Sequence, residues 1–258
     1  MKLAANLTML FTEFDFLERF EKAAQAGFRG VEFLFPYAWP ARQIAEKLDA
    51  HRLELVLHNL PAGDWAAGER GIACHPGRRA EFEEGVSVAI AYALALGVRQ
   101  LNCLAGIVPP GVDRAEAHDT LVENLAFAAR RLKEAGLALL VEPINTFDIP
   151  GFFLSGTRQA LDVIRATGAD NLFLQYDVYH MQRMEGELAA TIEANLASIR
   201  HIQVADNPGR HEPGTGEINY RYLLDRLDRL GYTGWIGCEY KPRTTTYDGL
   251  DWLVQHGA

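Results

Sequence analysis

Short apolar runs alternate with longer amphipathic ones along the whole chain. The runs "LAANL", "GVEFLF", "LELVLHN", "QLNCLAG", "LALLVEP", "LFLQYD", "IRHIQVAD" and "WIGCEY" have the length and apolar character of strands buried on both faces. Between them lie "DFLERFEKAAQAG", "RQIAEKLDAHR", "VSVAIAYALALG", "LVENLAFAARRLKEAG" and "YRYLLDRLDRLG", whose apolar residues recur at three- and four-residue spacing. That spacing predicts helices with one buried face. Gly27, Gly97, Gly136 and Gly231 fit as helix stop signals. Strands separated by helices require right-handed crossovers and a parallel sheet. About eight such units in 258 residues predict a single-domain α/β fold, a (β/α)8 TIM barrel over residues 1–258.

Composition narrows the partners. An apolar content of 48% and a charged content of 23% are ordinary for a soluble globular protein. The net charge of -9 opposes any partner held by its phosphate backbone, so no nucleic acid is expected. No apolar run approaches the roughly 20 residues that span a bilayer. Acids follow closely on the short apolar start, which argues against a signal peptide. Cys74, Cys103 and Cys238 lie far apart without a Cys-x-x-Cys pair, which favours a reducing, cytoplasmic setting over a disulfide framework or a cysteine zinc site. The oligomeric state stays open, a homo-oligomer included.

One carboxylate changes the picture. Glu142 ends the apolar run "LALLVEP", where a buried charge is costly unless it is paired or bound to a metal. In a barrel of this kind the chemistry sits where strands end and βα loops begin. Asp177 in "FLQYD", Gln203 in "HIQVAD" and Glu239 in "WIGCEY" occupy the same place on the next three strand candidates, roughly 26 to 36 residues apart. Each alone has a structural alternative: Asp177 as a helix cap, Gln203 satisfying backbone groups, Glu239 paired with Lys241. Together they form an oxygen-rich set that suits Mg2+ or Mn2+ better than zinc or copper. No Gly-x-Gly-x-x-Gly or Gly-x-x-x-x-Gly-Lys loop accompanies them, so no organic cofactor is expected.

The motifs "EPIN", "DVYHMQRMEG", "HIQVADNPGRHEPGTGEINY" and "GWIGCEYKP" resemble those of the hydroxypyruvate isomerases, within the xylose-isomerase-like TIM barrel superfamily. The resemblance runs nearly end to end and includes "HNLPAGDWAAGERGIACHPGR" and "FRGVEFLFPY". It implies that Glu142, Asp177, Gln203 and Glu239 hold one divalent metal, and that Glu142 and Glu239 also exchange a substrate proton. The substrate implied is a small 2-oxo or hydroxy acid, within glyoxylate and glycerate metabolism. One departure bears on substrate: Gln203 stands where similar ketose 3-epimerases carry a histidine.

By the same resemblance, His180 in "DVYH" donates to a substrate oxygen; its alternative is capping the βα loop. A 2-oxo acid needs a cation for its carboxylate, and Arg is suited to bind one bidentately. Arg210 in "NPGRHEPGTG" is the first candidate, with Lys241 and Arg70 competing. His58 in "VLHN" either lines the pocket or is a hydrogen-bonded structural histidine. Asp206 is read as orienting a neighbouring side chain or loop rather than touching substrate, and His211 as either a rim or a solvent-facing residue. The long segment "PAGDWAAGERGIACHPGR" has the length and small residues of a lid. Other classes are weighed on the same scaffold. These are a 2-oxo-tetronate isomerase, a ketose 3-epimerase, an apurinic-site endonuclease with three zincs and a basic surface, and a non-catalytic sugar-acid sensor.

Overall fold

A computed structural model describes residues 1–255; the last three positions of the predicted 1–258 domain lie outside them. The elements alternate as β1 (Lys2–Asn6), α1 (Arg19–Gln25), β2 (Gly30–Glu32), α2 (Ala41–His51), β3 (Glu54–Asn59), α3 (Arg79–Leu96), β4 (Gln100–Cys103), α4 (Arg114–Glu134) and β5 (Ala138–Val141). They continue as α5 (Thr157–Thr167), β6 (Leu172–Asp177), α6 (Val178–Met184), α7 (Leu188–Asn195), β7 (Ile199–Val204), α8 (Tyr220–Arg229), β8 (Trp235–Cys238) and α9 (Asp251–Gln255). All eight strands are parallel and close in chain order, β8 pairing with β1. The predicted (β/α)8 barrel is the fold.

Local chemistry sets the element ends. The Asp113 side chain caps α4 by accepting from the Ala115 N–H. Gly97 ends α3 in the left-handed conformation, at φ 70°, where a Cβ would be strained. The strand run "GVEFLF" yields only Gly30–Glu32, because the ladder with β3 shifts register between Val31 and Glu32 and the chain then turns away. Helices α5, α6 and α7 crowd the second half; α6 starts directly after Asp177 with no intervening loop.

The core has two parts. Between barrel and helices, side chains such as Phe20, Val86, Leu121 and Leu125 are fully buried, each stabilising the fold by roughly 1.5–3 kcal/mol. Inside the barrel, Ala4, Val56, Leu140, Phe173 and Trp235 pack together as an apolar floor. Side chains two apart on a strand face the same way. Trp235, Gly237 and Glu239 therefore climb one wall, Phe173, Gln175 and Asp177 another, and Leu140 leads to Glu142. Above the floor the interior turns polar: Glu32, Asn102, Gln175 and His201 are all buried. This departs from the branched aliphatic layers that usually fill such a barrel. Among the described residues no helix is long and apolar enough to cross a membrane.

Candidate active site

Four side chains meet at the carboxyl ends of the strands. Glu142, just past β5, Asp177 at the end of β6, His180 in α6 and Glu239, just past β8, bring one ligand atom each to within 4.8 Å of one another, all buried. Asp177 does two jobs at once. Its Oδ1 accepts from the N–H groups of Tyr179 and His180, capping α6, while Oδ2 faces the cluster. The cap and the cluster are thus compatible.

Crowded buried carboxylates hold protons tightly. Burial, followed by the charges of Glu239 and Asp177, raises Glu142 well above the usual carboxylate range; Arg210 and an Asn102 hydrogen bond of 3.0 Å pull the other way. Burial also pushes Glu239 up to about 8, against the pull of Arg210 and with help from Asp177 and Glu32. Arg210 is pressed against Glu239 and lies 3.5 Å from Asp177. Its charge is held despite burial by these carboxylates, and its Nε is buried with no partner among the described residues. The three carboxylates form an oxygen donor set that fits a hard divalent ion, and the Arg210 charge lies where it offsets part of their repulsion.

His180 presents a donor to this cluster. Asn145 Oδ1 accepts from the N–H groups of Phe147 and Asp148, so its Nδ2 is the end that donates to His180 Nδ1, at 2.6 Å. The imidazole hydrogen is left on Nε2, 3.6 Å from Asp177 and 3.9 Å from Glu142. Burial holds the His180 pKa down to about 4, so the ring is neutral near pH 7.

Gln203 lies beside Asp177 in the β6–β7 register and beside Gly237 in the β7–β8 register. Its Nε2 donates to Glu32 at 2.8 Å and its Oε1 accepts from Gln175 at 2.7 Å. The remaining candidates lie in different surroundings. His58 is buried, stacked on Phe33, with Nδ1 3.1 Å from the Asn59 carbonyl, and burial lowers its pKa to about 4. Arg70 donates to the carbonyls of Trp65 and Glu69 and stacks on the Trp65 ring. Lys241 is exposed; its backbone N–H donates to the Arg210 carbonyl at 2.7 Å, and its own carbonyl is 2.8 Å from His211 Nδ1.

Of the two expected roles for Asp206, a neighbouring side chain or the loop, the structure shows the loop after β7 organised by it. Its carboxylate accepts from the N–H groups of Asn207, Gly214, Gly216 and Ile218. The backbone of Arg210 within that loop is left-handed, at φ 57°. The long segment after β3 is pinned more firmly than a free lid. Cys74 N–H donates to the Ala105 carbonyl, Asn124 to that of Ala73, and a Cβ on Gly71 would come within 2.4 Å of the Leu104 carbonyl. Its tip carries Trp65, about a third exposed, against Phe35.

Residues absent from the sequence reading complete the interior. Glu32, fully buried, accepts from Asn6 at 3.0 Å and from Gln203, and lies 2.7 Å from His201 Nε2. Asn6 also donates to Glu239, at 3.2 Å. A signal for two of these was present: Gln175 and His201 each precede a strand-end residue by two positions, the period of a strand face.

Residues 20–256 match the family of xylose isomerase-like TIM barrels. The chain is 59% identical to the hydroxypyruvate isomerase of Escherichia coli K12 over 253 residues, 98% of each chain. It is 48% identical to a 2-oxo-tetronate isomerase of Cupriavidus necator, over 98% of this chain and 97% of the relative. The crystal structure of an AP endonuclease, family 2, from Brucella melitensis superposes with a TM-score of 0.96 at 47% identity, over 99% of this chain and 98% of the other.

Proposed function

The chain belongs to the xylose isomerase-like TIM barrel family, and from that membership we propose that it is an isomerase interconverting hydroxypyruvate and tartronate semialdehyde. The observation that carries this reading is the meeting of Glu142 and Glu239, from β5 and β8, in one buried cluster that raises the proton affinity of both. The reaction needs such a pair. A proton leaves C3 of hydroxypyruvate to one carboxylate, an enediolate forms, and a carboxyl group returns a proton at C2. The hydroxyl proton passes from O3 to O2, so hydroxyl and carbonyl exchange places with no net gain or loss.

Glu142, Asp177, Gln203 and Glu239 are the residues we assign to one Mg2+ or Mn2+, which when bound offsets the negative charge that develops on the two substrate oxygens. His180, neutral and carrying hydrogen on Nε2, donates to one of those oxygens. Arg210, whose Nη2 reaches the cluster and whose Nε has no partner among the described residues, is our assignment for the substrate carboxylate. Lys241, Arg70 and His58 are ranked behind it, since the first is exposed, the second is engaged by loop carbonyls, and the third is held neutral by burial. The three separated free thiols fit a reducing compartment, and we place the reaction in the cytoplasm.

The test is direct. Incubated with hydroxypyruvate and Mg2+ or Mn2+ in D2O, the protein should yield tartronate semialdehyde by NMR, with deuterium entering the carbon-bound positions. No conversion with either metal would overturn the reading. A second reading, 2-oxo-tetronate isomerisation, is favoured by the 48% identical relative; it uses the same proton transfer, and a much higher kcat/KM on that substrate would select it. A nucleic-acid substrate is disfavoured by the net charge of -9.

A further inference from the structure

We propose that Glu32 is the positioning residue that fixes which end of the Gln203 carboxamide serves the metal site; the inference rests on the assignment of Gln203 as a ligand. The two ends of a carboxamide are nearly the same shape, but only the oxygen can bind a cation. The Gln175–Gln203 pair does not choose between them. With both side chains turned over, Gln203 would donate to the Gln175 oxygen, which at present is buried without a partner, and one amide hydrogen bond would replace another.

Glu32 removes that freedom. Asn6 Nδ2 and Gln203 Nε2 both reach its Oε1, and His201 Nε2 reaches its Oε2. A carboxylate is an acceptor only, so Gln203 must turn its nitrogen to Glu32 and keep its oxygen for other partners. That oxygen accepts one bond from Gln175 and has a second lone pair left for a cation. The surrounding strands make room for this arrangement. Position 237 on β8 is glycine, and a Cβ there would lie 2.4 Å from both carboxylate oxygens of Glu32. The sequence separations of 26 and 171 residues from Glu32 to Asn6 and Gln203 explain why no local motif reveals the device.

Mn2+ binding to the metal-free protein, read by EPR of the free ion, tests this apart from turnover. Glu32→Gln should weaken binding by about 10- to 100-fold, the usual effect of removing a residue that orients a ligand. Gly237→Ala should weaken it in the same sense while leaving the Glu32 charge in place, because the added methyl displaces the carboxylate. Both effects should vanish in a Gln203→Met background, where no carboxamide remains to orient. Mn2+ affinity unchanged in folded Glu32→Gln and Gly237→Ala proteins would overturn the inference. So would losses that add to that of Gln203→Met, since Glu32 would then act by long-range charge or through the fold. Absence of Mn2+ binding by the parent protein would instead sink the metal assignment itself, a distinguishable result.

Discussion

Glu32 and Glu142 are both buried glutamates inside one barrel, yet they are partnered in opposite ways. Glu32 receives two amide donors and faces an imidazole nitrogen at 2.7 Å. Glu142 has one amide donor, from Asn102, and otherwise faces Glu239, Asp177, a distant imidazole and the charge of Arg210. A carboxylate whose lone pairs are met by donors is a fixed part of the scaffold. One surrounded by other carboxylates has a proton affinity open to change, which is what proton transfer requires. Burial alone therefore does not distinguish Glu32 from Glu142; their partners do, and Glu239, which accepts from Asn6 and Arg210 yet lies in the carboxylate cluster, stands between them.

The sharpest way to break this comparison is to neutralise the rim. Glu142→Gln and Glu239→Gln should each lower kcat by roughly 10²–10⁴-fold, the span of general acid–base contributions. Circular dichroism should show the fold unchanged. A near-parental rate in either variant would remove that residue from the chemistry.

The same change one level down should act on stability instead. Glu32→Leu strands Gln203 and His201 without their acceptor, leaves Asn6 with Glu239 alone, and should destabilise the protein by about 3–5 kcal/mol. In metal-free protein, Glu142→Gln should hold or raise stability, because it relieves repulsion. Urea denaturation of both variants reads the contrast; equal losses would erase it.

How far the sequence reveals these two levels follows from their chemistry. Glu142, Asp177 and Glu239 were legible because each closes an apolar strand run, and the spacing of those runs announces a barrel. The cap that Asp177 supplies to α6 was legible too, as an alternative that turns out to coexist with the cluster. Glu32 was not legible: within "GVEFLF" it reads as one polar position in a strand, and its partners come from β1 and β7 through barrel closure. Arg210 was expected at the site on the charge of the substrate. Its pairing with Glu239 depends on where the loop after β7 folds back, which Asp206 decides through backbone contacts that no side-chain pattern encodes.

A smaller effect separates charge holding from loop shaping at Arg210. Arg210→Ala should raise KM for hydroxypyruvate about 30-fold, equivalent to about 2 kcal/mol, the lower end for losing a buried charge-assisted pair. A neutral ketose, if turned over, should be affected much less. Equal losses on both substrates would move the carboxylate anchor to Lys241 or Arg70.

The last expected effect is on pH dependence. Glu142 and Glu239 hold protons more tightly folded than unfolded, so their contribution to stability falls as pH rises towards their raised values, about 8 for Glu239. His58 and His180, lowered from 6.5 to about 4, add stability as pH rises through that window and nothing further above it. Above pH 6.5 the glutamates alone remain, and the stability of metal-free protein should fall between pH 6.5 and pH 8. Protein saturated with Mn2+ should lose less, because bound metal holds the carboxylates deprotonated at both pH values. Urea midpoints with chelator and with Mn2+ measure the difference.

The left-handed backbone at Arg210 shapes what a protein engineer would recover there. In a saturation library at this position, folding and catalysis impose separate filters. Glycine and asparagine adopt φ near +57° at low cost, whereas valine, isoleucine and threonine are strained in it. Folded clones will therefore be enriched in glycine and asparagine before any substrate is offered. Enrichment at position 210 measures substrate choice only after it is divided by the frequencies found in clones sorted for folding alone.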